Sequence, residues 1–433
     1  MNILILTNTY VPHVGGVARS VSSLVEGLRL RGHEVLVVAP EFPGTPAEEV
    51  GIERIVALQR FGGSDFSMPL PLTWPLSEVV EGFAPDLVHT HHPFLLGDTA
   101  LRIAASYQVP IVFTYHTRYE LYGHYIVQDS DWLKRLVLSL AHGYCDLCDH
   151  VIAPSESILR HLQQNGVDAP ITVVPTGIDV AAFASGSRDR GRQRWDLGKD
   201  AFVVGHVGRL APEKNLNVLV DAFIRLLSRH EYVAVLITGD GGYRAQMEQA
   251  FTRVGMENRV RFTGVLTGQA LWDAYAAQDV FGFSSVSETQ GLVLTEAMAA
   301  GVPVVALDAP GAREVVQDKR NGRLLPHSAD AATLAEAFAW FIALPESETL
   351  ALRQTARKTA DTFSTSRCLD RTIALYEQVA ENGPKGQSRN MSTWEVARRR
   401  LERELDIVSN FAHAVGDAVL LPPQNLTTDA SGP

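Results

Sequence analysis

The feature that most constrains this chain is an alternation of short apolar runs with stretches whose apolar residues recur at helical spacing. Asn2 to Leu6 is apolar and strand-length; after Gly15-Gly16, Val17, Val21, Leu24, Val25 and Leu28 mark a helix, and GHEVLVVAP supplies the next strand. Further strands are expected at Leu87 to Thr90, Ile111 to Tyr115, Val151 to Ala153 and Ile171 to Val174. Alternating apolar strands and amphipathic helices predict a parallel sheet covered on both faces.

A second series begins at AFVVGHVG and continues through VAVLITGDGG, RVRFTG, VFGFSS and VPVVAL. Between the two series, Thr176 to Asp200 is polar and rich in turn formers, and reads as an interdomain linker. At 433 residues the chain exceeds what one core usually supports. The prediction is an α/β protein of two Rossmann-like domains, 1–178 and 198–363, whose strands direct their carboxyl ends at a central cleft. A helix over 364–381 and a helical extension over 384–433 with a disordered end complete the chain. In the extension, Ser392 and Glu395 form a capping box, and Trp394, Leu401, Leu405, Val408, Ala412 and Val415 recur every three or four residues. That helix suits packing on the body, self-association with another copy, or a lipid surface.

Charge and composition exclude several classes. With 38 Lys+Arg against 49 Asp+Glu the net charge is −11, which argues against a sequence-blind nucleic-acid binder. No run of about 18 apolar residues is present, and the start lacks a basic leader and a small-residue cleavage site. Three cysteines, Cys145, Cys148 and Cys368, are too few for a disulfide framework, so a reducing cytoplasm is expected.

The strongest local signal is SVSETQGLVLTEAMAAGVPVVA. A strand should end here, turn at Gly291 and enter a helix, leaving the N–H groups of Gly291, Leu292 and Val293 to attract an anion such as phosphate. Glu288 and Glu296 flank that position; carboxylates there suit hydroxyl donors, and a sugar nucleotide offers both phosphates and hydroxyls. In GHVGRLAPEKN, Arg209 and Lys214 sit five positions apart at a strand-to-helix turn, where they can grip a diphosphate or stand as ordinary surface cations. Gly15-Gly16 lets backbone approach a ligand, but it does not match G-x-G-x-x-G, which disfavours a nicotinamide enzyme.

His116 ends the strand IVFTY, where it can donate to a sugar hydroxyl, position an acceptor, or serve structure alone. The HTHH run at His89 to His92 looks metal-like, yet neighbours on a strand alternate faces and no carboxylate pattern supports a metal. Cys145 and Cys148, near His142 and His150, read as packing residues where a helix runs into a strand.

These motifs, in this order over roughly Met1 to Glu381, resemble the retaining glycosyltransferases of family 4, which have the GT-B fold. The resemblance implies that Arg209 and Lys214 bind the donor diphosphate, Glu296 the ribose hydroxyls and Glu288 the transferred hexose, with Gly16 against the phosphates and His116 at the cleft. It also implies that the helix from Ser364 returns the chain to the first domain. A front-side transfer follows as the expected mechanism, with no metal and no cofactor: no D-x-D motif stands in a plausible position, and cations stabilise the leaving diphosphate.

The run YHTRYELYGHYI is similar to a stretch in the diacylglycerol glucosyltransferases of the family, which makes Tyr119, Tyr122, His124 and Tyr125 acceptor-side residues suited to a lipid boundary. In DWLKRLVLSLAH, Trp132, Leu133, Leu136, Val137 and Leu140 lie beside Lys134 and Arg135; the segment fits an interfacial helix or an ordinary domain helix. The expectation is a peripheral cytoplasmic enzyme moving glucose from UDP-glucose to diacylglycerol. Its alternatives are mannosyl transfer from GDP-mannose to a phosphatidylinositol, glycolipid or polysaccharide acceptor, and a silent nucleotide-sugar binder.

Overall fold

The computed structural model describes residues 1–13, 15–46, 48–58, 68–69, 74–119, 131–383 and 393–420. They fall into two units, residues 1–177 with 366–433, and residues 178–365.

In the first unit, β1 (Asn2–Leu6), β2 (Glu34–Pro40), β3 (Ile52–Ile55), β6 (Leu87–Thr90), β7 (Ile111–Thr114), β8 (His150–Ala153) and β9 (Ile171–Val173) form one parallel sheet. β4 (Ala57–Leu58) and β5 (Met68–Pro69) make a separate antiparallel pair. The sheet order is β3-β2-β1-β6-β7-β8-β9, so the winding reverses between β1 and β6. Its helices are α1 (Gly16–Leu30), α2 (Trp74–Phe83), α3 (Leu96–Tyr107), α4 (Asp131–Asp146) and α5 (Glu156–Gln164).

Strand periodicity divides the core. Ile3 and Ile5 of β1 pack with Val21 and Val25 of α1, while Leu4 and Leu6 pack on the other face with Val88, Phe113 and Tyr144. All four β1 side chains are fully buried, each stabilising the fold by about 1.5–3 kcal/mol.

The second unit opens with α6 (Val180–Ala184) and α7 (Arg188–Arg194). A parallel sheet follows, made of β10 (Phe202–Val207), β11 (Val233–Thr238), β12 (Val260–Phe262), β13 (Val280–Phe283), β14 (Val304–Leu307) and β15 (Gly322–Leu325). The order is β12-β11-β10-β13-β14-β15, which again reverses beside its first strand. Between and after the strands come α8 (Leu216–Arg229), α9 (Arg244–Arg253), α10 (Gly268–Ala276), α11 (Leu292–Ala299), α12 (Ala331–Ile342) and α13 (Glu346–Asp361).

The segment expected to be a linker is therefore folded. α7 lies on α10 so closely that a Cβ on Gly191 would stand 2.3 Å from the Asp273 carbonyl oxygen. Its polar composition reflects an ion cluster: Arg188, Arg192 and Arg353 surround Asp279 at 2.7, 2.7 and 3.1 Å. Arg192 is almost wholly buried, and it also donates to the carbonyls of Ala277, Gly198 and Lys199.

α14 (Thr365–Asn382) joins the core of the first unit, where Leu369, Leu375, Tyr376 and Val379 pack with Ile3, Ile5 and Val21. α15 (Thr393–Leu420) packs on α3 and α4, and the predicted repeat contributes only in part, through Val415. Leu401, Leu405 and Val408 are 62%, 61% and 62% exposed, whereas Ala414 and Ala418 are buried against Leu136, with Leu133 and Leu140 beside them. Small side chains allow the close approach, and polar groups direct it: Arg102 clasps Glu404 through two bonds of 2.5 and 3.0 Å, and Arg403 donates to the Leu147 carbonyl. Ser392, residues 384–391 and the end of the extension from 421 lie outside the described residues, as does the Trp394 side chain.

Candidate active site

In an open parallel sheet, ligands bind beyond the carboxyl ends of the strands at the point where the winding reverses. In the second unit that point lies between β10 and β13. β10 runs into Gly208, Arg209 and a 3-10 turn over Pro212–Lys214, and β13 runs into Ser284 to Glu288. The two loops are stitched together. Lys214 Nζ donates to Glu288 Oε1 at 2.6 Å, Ser284 Oγ to the Lys214 carbonyl at 3.0 Å, Ser287 Oγ to the Glu213 carbonyl at 3.1 Å, and Asn215 Nδ2 to the Ser284 carbonyl at 3.3 Å.

Burial is the largest single influence on the Glu288 carboxyl and would raise it, but the charge and hydrogen bond of Lys214, a hydrogen bond from Ser285 and the charge of Arg209 together hold it below its ordinary value. Arg209 pairs with Glu213 and keeps half of its side chain exposed. Arg209, Lys214 and Glu288 thus gather at one place. Gly291, at φ 72°, makes the left-handed turn into α11, a conformation that glycine adopts at no steric cost. Leu292 and Val293 open that helix, whose first amides form its positive end. Glu296 lies deeper: it is 2% exposed, and its Oε2 accepts from the buried Tyr275 hydroxyl at 2.6 Å.

Sequence reasoning missed Glu213, Asn215, Ser284, Ser287 and Tyr275, because their roles arise from contacts between loops that spacing does not reveal. It also missed His206 of β10. That imidazole is buried, its Nδ1 lies 3.0 Å from the Gly282 carbonyl oxygen, and burial pushes it down to about 4.

In the first unit the reversal falls between β1 and β6. Gly15 is the extended residue ahead of α1 and Gly16 its first helical one. The Asn8 backbone N–H donates to His92 Nδ1 at 3.1 Å, and His91 Nδ1 lies 2.9 Å from His116 Nε2. His89 contacts Thr114 Oγ1 through Nε2 and the Tyr376 hydroxyl through Nδ1. Burial pushes His89 and His92 down to about 3 and His116 to about 4, so all three are neutral near pH 7. Among the described residues, no group of three or more histidine, cysteine or acidic side chains is arranged to hold a metal.

Tyr119 turns its ring edge-on to Phe94 and Tyr115 and packs against the core of the first unit; Tyr122, His124 and Tyr125 lie outside the described residues. The apolar side of α4 is not free to meet lipid, because α15 covers Leu133, Leu136 and Leu140. Lys134 pairs with Asp131 and Arg135 donates to the Ala418 carbonyl, while Trp132 stays 40% exposed. Cys145 and Cys148 are buried with their thiols directed at the carbonyls of Ala141 and Tyr144, and burial raises both. Among the described residues no helix is long and apolar enough to cross a membrane.

Comparison with known proteins decides the family. Residues 14–182 match the model of Glycosyltransferase Family 4, and residues 187–359 that of Glycosyl transferases group 1. The chain is 30% identical over 330 residues to the alpha-monoglucosyldiacylglycerol synthase of Streptococcus pneumoniae, covering 75% of each chain. It is 35% identical over 336 residues to the GDP-mannose-dependent alpha-mannosyltransferase of Mycobacterium tuberculosis, covering 75% of this chain and 84% of the relative.

The chain belongs to glycosyltransferase family 4. Among solved structures, the sucrose-phosphate synthase of Thermosynechococcus elongatus superposes with a TM-score of 0.72 at 21% identity, over 88% of this chain and all of that one. HepE of Anabaena, in complex with UDP, gives 0.68 at 24% identity, over 87% and 100%. The family 4 enzyme accordingly has the GT-B fold, two Rossmann-like domains with a helical C-terminal region, and it is a hexosyltransferase.

Proposed function

We propose that this glycosyltransferase moves glucose from UDP-glucose to 1,2-diacylglycerol with retention at the anomeric carbon, working as a peripheral enzyme on the cytoplasmic face of a membrane. The observation that carries the reading is the convergence of Arg209, Lys214 and Glu288 where the winding of the second sheet reverses. Two cations there suit a diphosphate, and a carboxylate held ionised suits sugar hydroxyls.

In this reading Arg209, Lys214 and the amides of Gly291, Leu292 and Val293 offset charge building on the leaving diphosphate, which is the largest electrostatic task of the reaction. Glu288 holds the hexose, Glu296 the ribose hydroxyls, and Gly15 and Gly16 lie against the phosphates. His116 positions the sugar, and Tyr119, Tyr122, His124 and Tyr125 serve the acceptor. The acceptor proton passes to a donor phosphate oxygen on the same face of the sugar, so no covalent enzyme intermediate forms. Likeness to the glucosyldiacylglycerol synthase supports glucose and diacylglycerol.

A second reading has an observation of its own. The 35% identity to a GDP-mannose-dependent enzyme, and 30% to the phosphatidyl-myo-inositol mannosyltransferase of Mycobacterium leprae, favour mannosyl transfer to a phosphatidylinositol or glycolipid acceptor. Both readings are tested together by incubating the enzyme with UDP-glucose or GDP-mannose and vesicles containing diacylglycerol or phosphatidylinositol, then weighing the lipid products by mass spectrometry. Glucosyldiacylglycerol supports the first reading; a mannosylated lipid from GDP-mannose alone replaces it with the second.

A further inference from the structure

His89, His91, His92 and His116 crowd the carboxyl ends of β6 and β7, and their protons can be placed by asking which partner is obliged to donate. The Asn8 backbone N–H can only donate, so His92 Nδ1 accepts and its Nε2 carries the proton. Tyr376 is fully buried, and burial raises its phenol; it stays protonated and donates to His89 Nδ1, leaving His89 Nε2–H to donate to Thr114 Oγ1.

His91 differs from the other three. It is 1% exposed, its Nδ1 lies 2.9 Å from His116 Nε2, and its own Nε2 is buried with no hydrogen-bond partner among the described residues. Two placements of the shared proton fit that distance. If His116 Nε2 donates, His91 must carry its proton on Nε2, as a buried N–H with no acceptor. If His91 Nδ1 donates, the atom left without a partner is a bare lone pair. Orphaned buried N–H groups are the rarer of the two defects in folded proteins, which selects the second placement.

We infer that His91 is a positioning residue whose Nδ1–H donates to His116 Nε2 and so holds His116 in the tautomer with its proton on Nδ1. The relevance to transfer rests on the reading of His116 as a site residue. In that tautomer the ring's donor is the His116 Nδ1–H, the kind of group from which a sugar hydroxyl oxygen accepts. Which ring nitrogen carries the proton is set by the bond the other one makes.

The test is a long-range ¹H–¹⁵N correlation spectrum of enzyme labelled at its histidines, recorded near pH 7, with His116→Gln identifying the His116 signals. The expected wild-type pattern is one His116 tautomer protonated at Nδ1. His91→Phe, which cannot donate, should turn it into a mixture or into the Nε2–H form, whereas His91→Asn, whose amide can donate, should keep it. With UDP-glucose or GDP-mannose and lipid vesicles, His91→Phe should lower kcat by about tenfold with little change in the donor KM, and His91→Asn should recover most of that loss. A wild-type His116 protonated at Nε2, or on both nitrogens, overturns the inference, and so does a His116 pattern unmoved in His91→Phe. Should His91→Phe fail to fold, the wild-type pattern decides alone. The expected pattern together with a fully active His116→Ala upholds the tautomer but removes His116 from the site.

Discussion

Lys214 and Glu288 stand 74 residues apart in sequence and 2.6 Å apart in space, the ammonium of one donating to the carboxylate of the other. The bond joins the loop after β10 to the loop after β13, with both side chains more than four-fifths buried. A charge pair so placed is costly to assemble and costly to halve, because removing one member leaves the other without its partner.

Lys214→Ala should therefore act twice. Stability should fall by about 1–3 kcal/mol, between the values for exposed and fully buried pairs, read from urea unfolding. The turnover number should fall by about 10²–10³, the size of one lost charge-stabilising donor, and Arg209→Ala should do the same with a smaller effect on stability. A Lys214→Ala enzyme whose activity drops only in proportion to its unfolded fraction would mean that the pair serves the fold alone.

Acid should destabilise the first unit early. His89, His92 and His142 are held at about 3 and His116 at about 4, each by burial, against an ordinary value of 6.5. Since the unfolded chain binds protons that the folded chain refuses, stability is complete above 6.5 and declines as the pH falls towards 4. Each such group costs about 2 kcal/mol at pH 5, so several together rival a whole domain's stability. Asp98, raised to about 6 by burial, opposes this trend as a single group. A urea midpoint that stays constant from pH 7 to pH 5 would contradict the expectation.

Docking of α7 depends on the absence of a side chain at position 191. Gly191→Ala should force Cβ into the Asp273 carbonyl and cost about 1–3 kcal/mol despite the better helix propensity of alanine. Asp279→Ala should cost about 3–5 kcal/mol, since it strips the counter-charge from the buried Arg192. If residues 176–200 were a free linker, both variants would melt like the wild type in differential scanning calorimetry.

Ala414→Asp places a carboxylate against Leu136 in the contact between α4 and α15. The expected result is release of α15, seen as new protease cleavage within residues 393–420, with transferase activity towards a soluble acceptor preserved. Unchanged protease resistance would show that the helix is held by its polar contacts, Arg102 to Glu404 and Arg403 to Leu147, without help from the alanines.

Much of the fold is legible in the sequence because central strands of a parallel sheet are buried on both faces and are apolar almost throughout; β1, β7, β13 and β14 all read that way. Edge strands escape the same reasoning: β3 is IERI and β15 is GRLL, each with a charge that an edge can leave in water. Thr176 to Asp200 misled because arginines gathered around one aspartate look like a solvated run. The apolar repeat of α15 misled in the opposite way, since Ala414 and Ala418 are buried while Leu401, Leu405 and Val408 stay exposed. For the site, residue types and their order were visible, but the Tyr275 to Glu296 bond depends on α10 packing beside α11, and the His91 to His116 bond on β6 pairing with β7.

The bond from Tyr376 to His89 spans 287 residues of chain, and the helix that makes it also lies over Ile3 and Ile5. On the ribosome this sets an order of events. The first sheet is complete at Val173, yet Leu369, Leu375, Tyr376 and Val379, which cover part of one of its faces, arrive about 200 residues later, roughly 10 to 40 s at ordinary rates of synthesis. For that interval α1 covers that apolar face without α14, leaving it partly open, while the second unit, contiguous in sequence, can close by itself. The part of the enzyme made first is therefore finished last.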